Sequence, residues 1–138
     1  MGDRRQAREL ALQALFFLDV DKSGPDENLA AFCLNNEDLL TENVRPFFTD
    51  LIKGVLENRT EIDALLNQYS KNWRLSRMPV VDRNIMRIAT FEFLKRPDIP
   101  SSVTINEAVE IGKKYGTKDS GAFINGVLDR IRSLEGIE

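Results

Sequence analysis

The stretch RRQARELALQALFFL, running from Arg4 to Leu18, decides the fold class. Ala7, Leu10, Ala11, Ala14, Phe17 and Leu18 recur at intervals of three and four, the period of a helix face rather than of a strand. Asp3, just ahead of the stretch, suits an N-cap. The same period returns down the chain. Ser23-Gly24-Pro25 interrupts it, and Pro25 suits the first turn of a second helix to about Leu34. Val44, Phe47, Phe48, Leu51, Ile52 and Val55 mark a third helix over Thr41 to Leu56. Thr60 followed by Asp63 reads as a capping box that opens a fourth, through Leu65, Leu66 and Tyr69. Pro79 introduces a fifth from Val80 to Leu94, and Arg96-Pro97-Asp98-Ile99-Pro100 is a rigid connection. Thr104-Ile105-Asn106-Glu107 is a fuller capping box leading a sixth helix that Gly116 stops. Asp119 or Ser120 caps a seventh, with Phe123, Ile124, Val127, Leu128 and Ile131 inward. The expectation is an all-α bundle of about seven helices in one domain over residues 1–138.

Composition narrows the function. The chain has 138 residues, 42% of them hydrophobic and 30% charged, which fits one globular domain and not a disordered chain. No apolar run is long enough for a membrane span, and the opening residues lack the apolar core of a signal peptide, so a cytoplasmic protein is expected. One cysteine, Cys33, and no histidine exclude an internal disulfide, zinc clusters built on Cys and His, and nucleophile–histidine triads. No metal and no cofactor are expected. Glu107 and Glu110 share a helix at i, i+3, but a solvated helix face explains that spacing without a metal.

The net charge of −3 is unevenly spread. Residues 19–63 carry eleven acids against four bases, whereas residues 71–96 carry seven bases against Asp82 and Glu92. An acidic chain with local basic patches is no general polyanion binder. The first helix holds a local conflict. Arg4, Arg5 and Arg8 crowd the positive end of its dipole, each disfavoured there by roughly 0.3–1 kcal/mol at an exposed site. These arginines share a side of the helix with Leu12 and Phe16, away from the main apolar face. Arginines for phosphates beside an aromatic ring are a combination that RNA or a protein partner uses; packing of Leu12 and Phe16 on another helix is the competing explanation.

Four segments in order resemble the NusB transcription antitermination family. Residues 4–16 are similar to its arginine-rich opening, and Asp82-Arg83-Asn84-Ile85-Met86-Arg87-Ile88-Ala89 with Phe91-Glu92-Phe93-Leu94 to its central helix. Ile99-Pro100 with Ile105-Asn106-Glu107-Ala108-Val109-Glu110, and then Phe123-Ile124-Asn125-Gly126-Val127-Leu128-Asp129, resemble its C-terminal part. The resemblance implies two small helical subdomains and a non-enzymatic role. It implies pairing with NusE, a small-subunit ribosomal protein, and binding of boxA RNA in nascent transcripts, notably of ribosomal RNA operons. The other Nus factors and RNA polymerase complete the implied assembly. By the same resemblance Arg4, Arg5, Arg8, Tyr69, Arg87, Asp119, Ser120 and Phe123 fall at the RNA, with Arg74 and Arg77 as secondary candidates. Phe16 and Asp82 fall at NusE, Asp82 as an exposed acid among bases. Ala122 stands where some relatives have a lysine. The alternatives are an RNA-binding appendage of an RNA cytosine methyltransferase and a helical adaptor without RNA contact.

One expectation concerns structure alone. Val81, Ile85, Ile88 and Glu92 form one helical stripe, which puts a carboxylate on the core side. Burial without partners is costly, so Glu92 is expected to be buried and to accept backbone N–H bonds at the start of a neighbouring helix.

Overall fold

The computed structural model describes residues 2–70 and 75–138. Seven α-helices follow in order: α1 Gly2–Val20, α2 Pro25–Asn35, α3 Arg45–Glu57, α4 Arg59–Tyr69, α5 Val80–Lys95, α6 Ser101–Tyr115 and α7 Ser120–Leu134. A short 3-10 turn, Leu75–Arg77, stands before α5. No strand occurs among the described residues, so the all-α reading holds. Lys71, Trp73 and the candidate Arg74 lie outside the described residues.

The chain divides into two compact units, Met1–Lys53 and Gly54–Glu138. In the first, α2 packs on α1. Leu10, Ala11, Ala14 and Leu15 of α1 are buried, as are Phe47, Phe48 and Leu51 of α3. Phe32 of α2 stacks on Phe48 with ring centroids 6.1 Å apart and planes 12° from parallel. Leu12, expected off the core face, is buried, whereas Phe17, expected on it, is 37% exposed. The buried face is therefore rotated toward Leu12.

In the second unit α5 packs against α4, α6 and α7, and α6 packs along α7. Asp82 and every residue from Asn84 to Phe93 are buried, so α5 is enclosed on all sides. A helix in that position must bury its polar residues too, and each then needs a partner. Glu92 is 2% exposed, as its stripe predicts, and accepts a hydrogen bond from the Thr104 hydroxyl at 2.8 Å. Thr104 belongs to the opening turn of α6, the place foreseen for a donor, and contributes its side-chain hydroxyl.

Several helix starts differ from those expected. Thr104 is not an N-cap: α6 starts at Ser101, after Pro100, and the Thr104 hydroxyl donates to the buried Glu92 carboxylate. Thr60 opens no capping box, because α4 starts at Arg59 and Asp63 bonds to arginines. Asp3 sits within the first turn of α1 rather than before it, and α3 starts at Arg45 rather than Thr41. Asp119 takes the N-cap position of α7.

Gly54, inside α3, is set by a close approach. A Cβ there meets Phe91 Cε1 at 2.0 Å, and Phe91 is 4% exposed on α5. Glycine inside a helix costs about 1 kcal/mol relative to alanine, but the ring leaves no space for the methyl group. Gly54→Ala is therefore expected to destabilise by about 1–3 kcal/mol in urea unfolding, through displacement of the Phe91 ring. A variant as stable as its parent would show that the ring moves aside freely.

Candidate functional site

In the first unit the arginine-rich opening of α1 divides into two kinds of residue. Arg4 is exposed and Arg5 half-buried, but Arg8 is only 3% exposed. The guanidinium carbons of Arg4 and Arg8 stand 5.0 and 5.2 Å from the centroid of the Phe47 ring. The negative face of that ring stabilises the two cations, which answers the conflict between their charge and the helix dipole. Asp3, in the same turn, adds a compensating acid. Phe47 was legible only as a core aromatic, since nothing local ties it to residues some forty positions earlier. Phe16, three turns along α1, is 41% exposed.

In the second unit five of the expected RNA residues are engaged inside the protein or stand at the rim of one pocket. Arg87 is 4% exposed. It makes a fork on Asp63, Nε to Oδ1 at 2.8 Å and Nη2 to Oδ2 at 3.1 Å, and Nη1 donates to Asn84 Oδ1 at 3.0 Å. Arg87, expected at the RNA, is held as a buried clamp between α4 and α5. Tyr69, at the end of α4, is 8% exposed; its hydroxyl donates to the Glu135 carboxylate, and Arg130 donates to its carbonyl. The hydrogen bond to Glu135, with burial and the carboxylate's charge, raises the Tyr69 hydroxyl above its ordinary pKa. Arg77 is exposed in the 3-10 turn.

The remaining candidates gather where α5 and α7 begin. A pocket of about 270 Å³ is lined by Pro79, Asp82, Thr117, Asp119 and Phe123. Asp119 is exposed, Phe123 half-buried and Ser120 fully buried. Asp82 corrects one expectation: foreseen as an exposed acid, it is 3% exposed and accepts a hydrogen bond from Ser120 Oγ at 2.7 Å. The same Oγ accepts the Thr117 backbone N–H at 2.9 Å, and Thr117 Oγ1 accepts the Asp119 N–H at 3.3 Å. Gly116 makes this possible, because a Cβ there meets Ser120 Oγ at 2.3 Å. Sequence reasoning missed Thr117, whose bonds are local, and Glu135, and read Asp63 only as part of a cap, because their partners Arg87 and Tyr69 lie across the folded unit. The carboxylates of Glu107 and Glu110 form no metal cluster among the described residues; Glu110 pairs with Lys113 at 3.2 Å.

Burial raises the Asp82 carboxyl above its ordinary pKa, and the Ser120 hydroxyl offsets part of the rise. A raised carboxyl holds its proton more tightly when folded, so its contribution favours folding in acid. That contribution is lost as pH rises from the ordinary carboxylate value through the folded one. Asp82→Asn keeps an acceptor oxygen for Ser120 and has no charge to bury. It is therefore expected to be more stable than the parent at neutral pH and to match it in acid, as measured by urea unfolding. Lower stability of Asp82→Asn at neutral pH would assign the stabilisation to the charge itself.

The sequence profile of the NusB family matches residues 5–133. The transcription antitermination protein NusB of Desulforapulum autotrophicum is 67% identical over 138 residues, covering 100% of this chain and 96% of that protein. Its counterpart in Desulfatibacillum aliphaticivorans is 54% identical over 131 residues, covering 95% and 90%. Among solved structures, T. maritima NusB superposes with a TM-score of 0.79 at 40% identity, covering 94% of this chain and 90% of that one. A crystal structure of the antitermination factors NusB and NusE in complex with dsRNA gives a TM-score of 0.86 at 22% identity, covering 97% and 98%, a likeness of fold.

Proposed function

The chain belongs to the NusB family, and from that premise we propose that it acts in transcription antitermination, binding boxA-type RNA together with a NusE-type ribosomal protein. Identity of 67% along the entire chain with a transcription antitermination protein carries this reading. The work of such a protein is recognition, and its residues are assigned by what each one exposes. In the first unit the exposed Arg4 and half-buried Arg5 are assigned to phosphates, with Phe16 as the apolar anchor for NusE. In the second unit Asp119 and Phe123, at the rim of the pocket, are assigned to the bases. An aromatic face takes a stacked base, and a carboxylate accepts from base N–H groups. Arg8, Tyr69, Arg87 and Ser120 support these contacts from below the surface, in keeping with their burial. The assembly is completed by the other Nus factors and RNA polymerase.

Titration of a labelled single-stranded boxA-type RNA at several salt concentrations tests the RNA half of the proposal. Single-stranded binding loses about 0.7 log units of affinity per tenfold rise in salt for each phosphate neutralised. Arg4→Ala and Arg5→Ala are each expected to flatten the slope by about 0.7 units and to weaken related RNAs alike. Parental affinity and slope in both variants would remove α1 from the RNA site.

A further inference from the structure

We infer that Asp82 and Ser120 are positioning residues for RNA binding: their hydrogen bond holds the turn that presents Asp119 and Phe123. The inference rests on the reading of the α7 start as an RNA surface. Four observations carry it. Ser120 is 1% exposed and Asp82 3% exposed, so neither offers a surface to a partner or to a nucleic acid. Ser120 Oγ is engaged on both sides, donating to Asp82 Oδ1 at 2.7 Å and accepting from Thr117 N at 2.9 Å. Asp82 stands in the first turn of α5 and Ser120 in the first turn of α7, so the bond ties two helix starts. The tied segment, from Thr117 to Phe123, contributes three of the five residues around the pocket that Asp82 also lines.

The physical logic is one of preorganisation. The turn from Gly116 to Asp119 is exposed except for its half-buried glycine, and free backbone of that kind samples many conformations. Three successive hydrogen bonds, Asp82 from Ser120, Ser120 from Thr117 and Thr117 from Asp119, hold it in one conformation. With the turn fixed, the Asp119 carboxylate and the Phe123 ring meet a base without first losing that freedom. Gly116 leaves the space in which Ser120 Oγ sits, so the device includes the residue that ends α6. What passes from Asp82 to the RNA is therefore geometry, and it requires an acceptor oxygen at position 82 rather than a negative charge.

That distinction makes the test. Labelled boxA-type RNA is titrated into the full chain carrying Ser120→Ala, Asp82→Ala or Asp82→Asn, each first shown to be folded at the assay temperature. Ser120→Ala and Asp82→Ala are expected to weaken binding by about three- to tenfold, the scale of one hydrogen bond. The double variant is expected to be no weaker than Ser120→Ala, which already removes the bond that Asp82→Ala removes. Asp82→Asn, which still accepts from Ser120, is expected to bind like the parent. Gly54→Ala serves as the control for lost stability alone and is expected to leave RNA affinity unchanged. Additive losses, parental binding by Ser120→Ala, or equal losses in Asp82→Asn and Asp82→Ala would each overturn the inference. Phe123→Ala separates the two levels: if it leaves RNA binding intact, the reading of this surface fails; if it weakens binding while Ser120→Ala does not, only the positioning role fails.

Discussion

Asp63→Ala is expected to lower the unfolding free energy by about 3 kcal/mol, near the lower end of the cost of stripping one partner from a buried ion pair. Its partner Arg87 is 4% exposed and cannot be hydrated in place, whereas the Asp63 side chain is 22% exposed. The two halves of the pair are thus unequal. Loss of the carboxylate strips a buried guanidinium of its forked partner, while its bond to Asn84 on α5 stays. Loss of the guanidinium leaves a carboxylate that water reaches and that still accepts from Arg59 Nε at 3.2 Å. Arg87→Met is accordingly expected to cost less, about 1–2 kcal/mol, and the double replacement less than the sum of the two. Urea unfolding with an unchanged m-value measures all three. A change below about 0.5 kcal/mol in Asp63→Ala, the range of an ordinary surface substitution, would show that Arg87 finds other partners or water. The same variant decides what Arg87 does for RNA. A phosphate contact freed from its carboxylate would bind RNA more tightly, whereas a clamp between α4 and α5 would not.

Helices were legible in the sequence and their polar residues were not, for a single physical reason. Apolar periodicity reports which face of a helix is buried, and all seven helices follow from it. It is silent about polar residues, which are treated as solvated unless something local claims them. In α5, enclosed by α4, α6 and α7, that assumption fails for Asp82, Asn84, Arg87 and Thr90, all buried. Glu92 alone was placed correctly, because it extends an apolar stripe. The partners are remote in sequence: Arg87 and Asp63 are 24 residues apart, Asp82 and Ser120 are 38, and Tyr69 and Glu135 are 66. Helix starts suffered from the same blindness. Thr104 lies inside α6 and Ser120 follows the Asp119 cap of α7, and their hydroxyls donate to the remote carboxylates of Glu92 and Asp82. The resemblance to a family placed Asp119, Ser120 and Phe123 alike at the RNA. Burial separates them: Asp119 is exposed and Phe123 half-buried, whereas Ser120 is enclosed.

Phe16 is where exposure and expected role agree, and its replacement is expected to have the largest effect on partner binding. It is 41% exposed on a helix whose neighbouring residues Leu12 and Leu15 are buried at 2%. A large aromatic presented on a rigid, anchored helix loses little conformational freedom on binding, and such residues dominate interface energies. Phe16→Asp removes the apolar contact and places an unpaired charge in the interface, so NusE binding is expected to weaken about thirtyfold or more, the range of a hot-spot residue. Stability should hardly change, because an exposed position away from caps and ion pairs usually alters it by less than about 0.5 kcal/mol. RNA binding by the free protein should also persist, since the arginines assigned to phosphates remain. Leu34→Asp provides the comparison: Leu34 is 71% exposed on α2 and lies outside the proposed NusE surface, so its replacement is expected to leave NusE affinity at the parental level. Titration calorimetry of both variants with NusE decides. Equal losses would mean that added negative charge on an already acidic unit disfavours the partner generally. Parental binding by Phe16→Asp would remove α1 from the NusE surface.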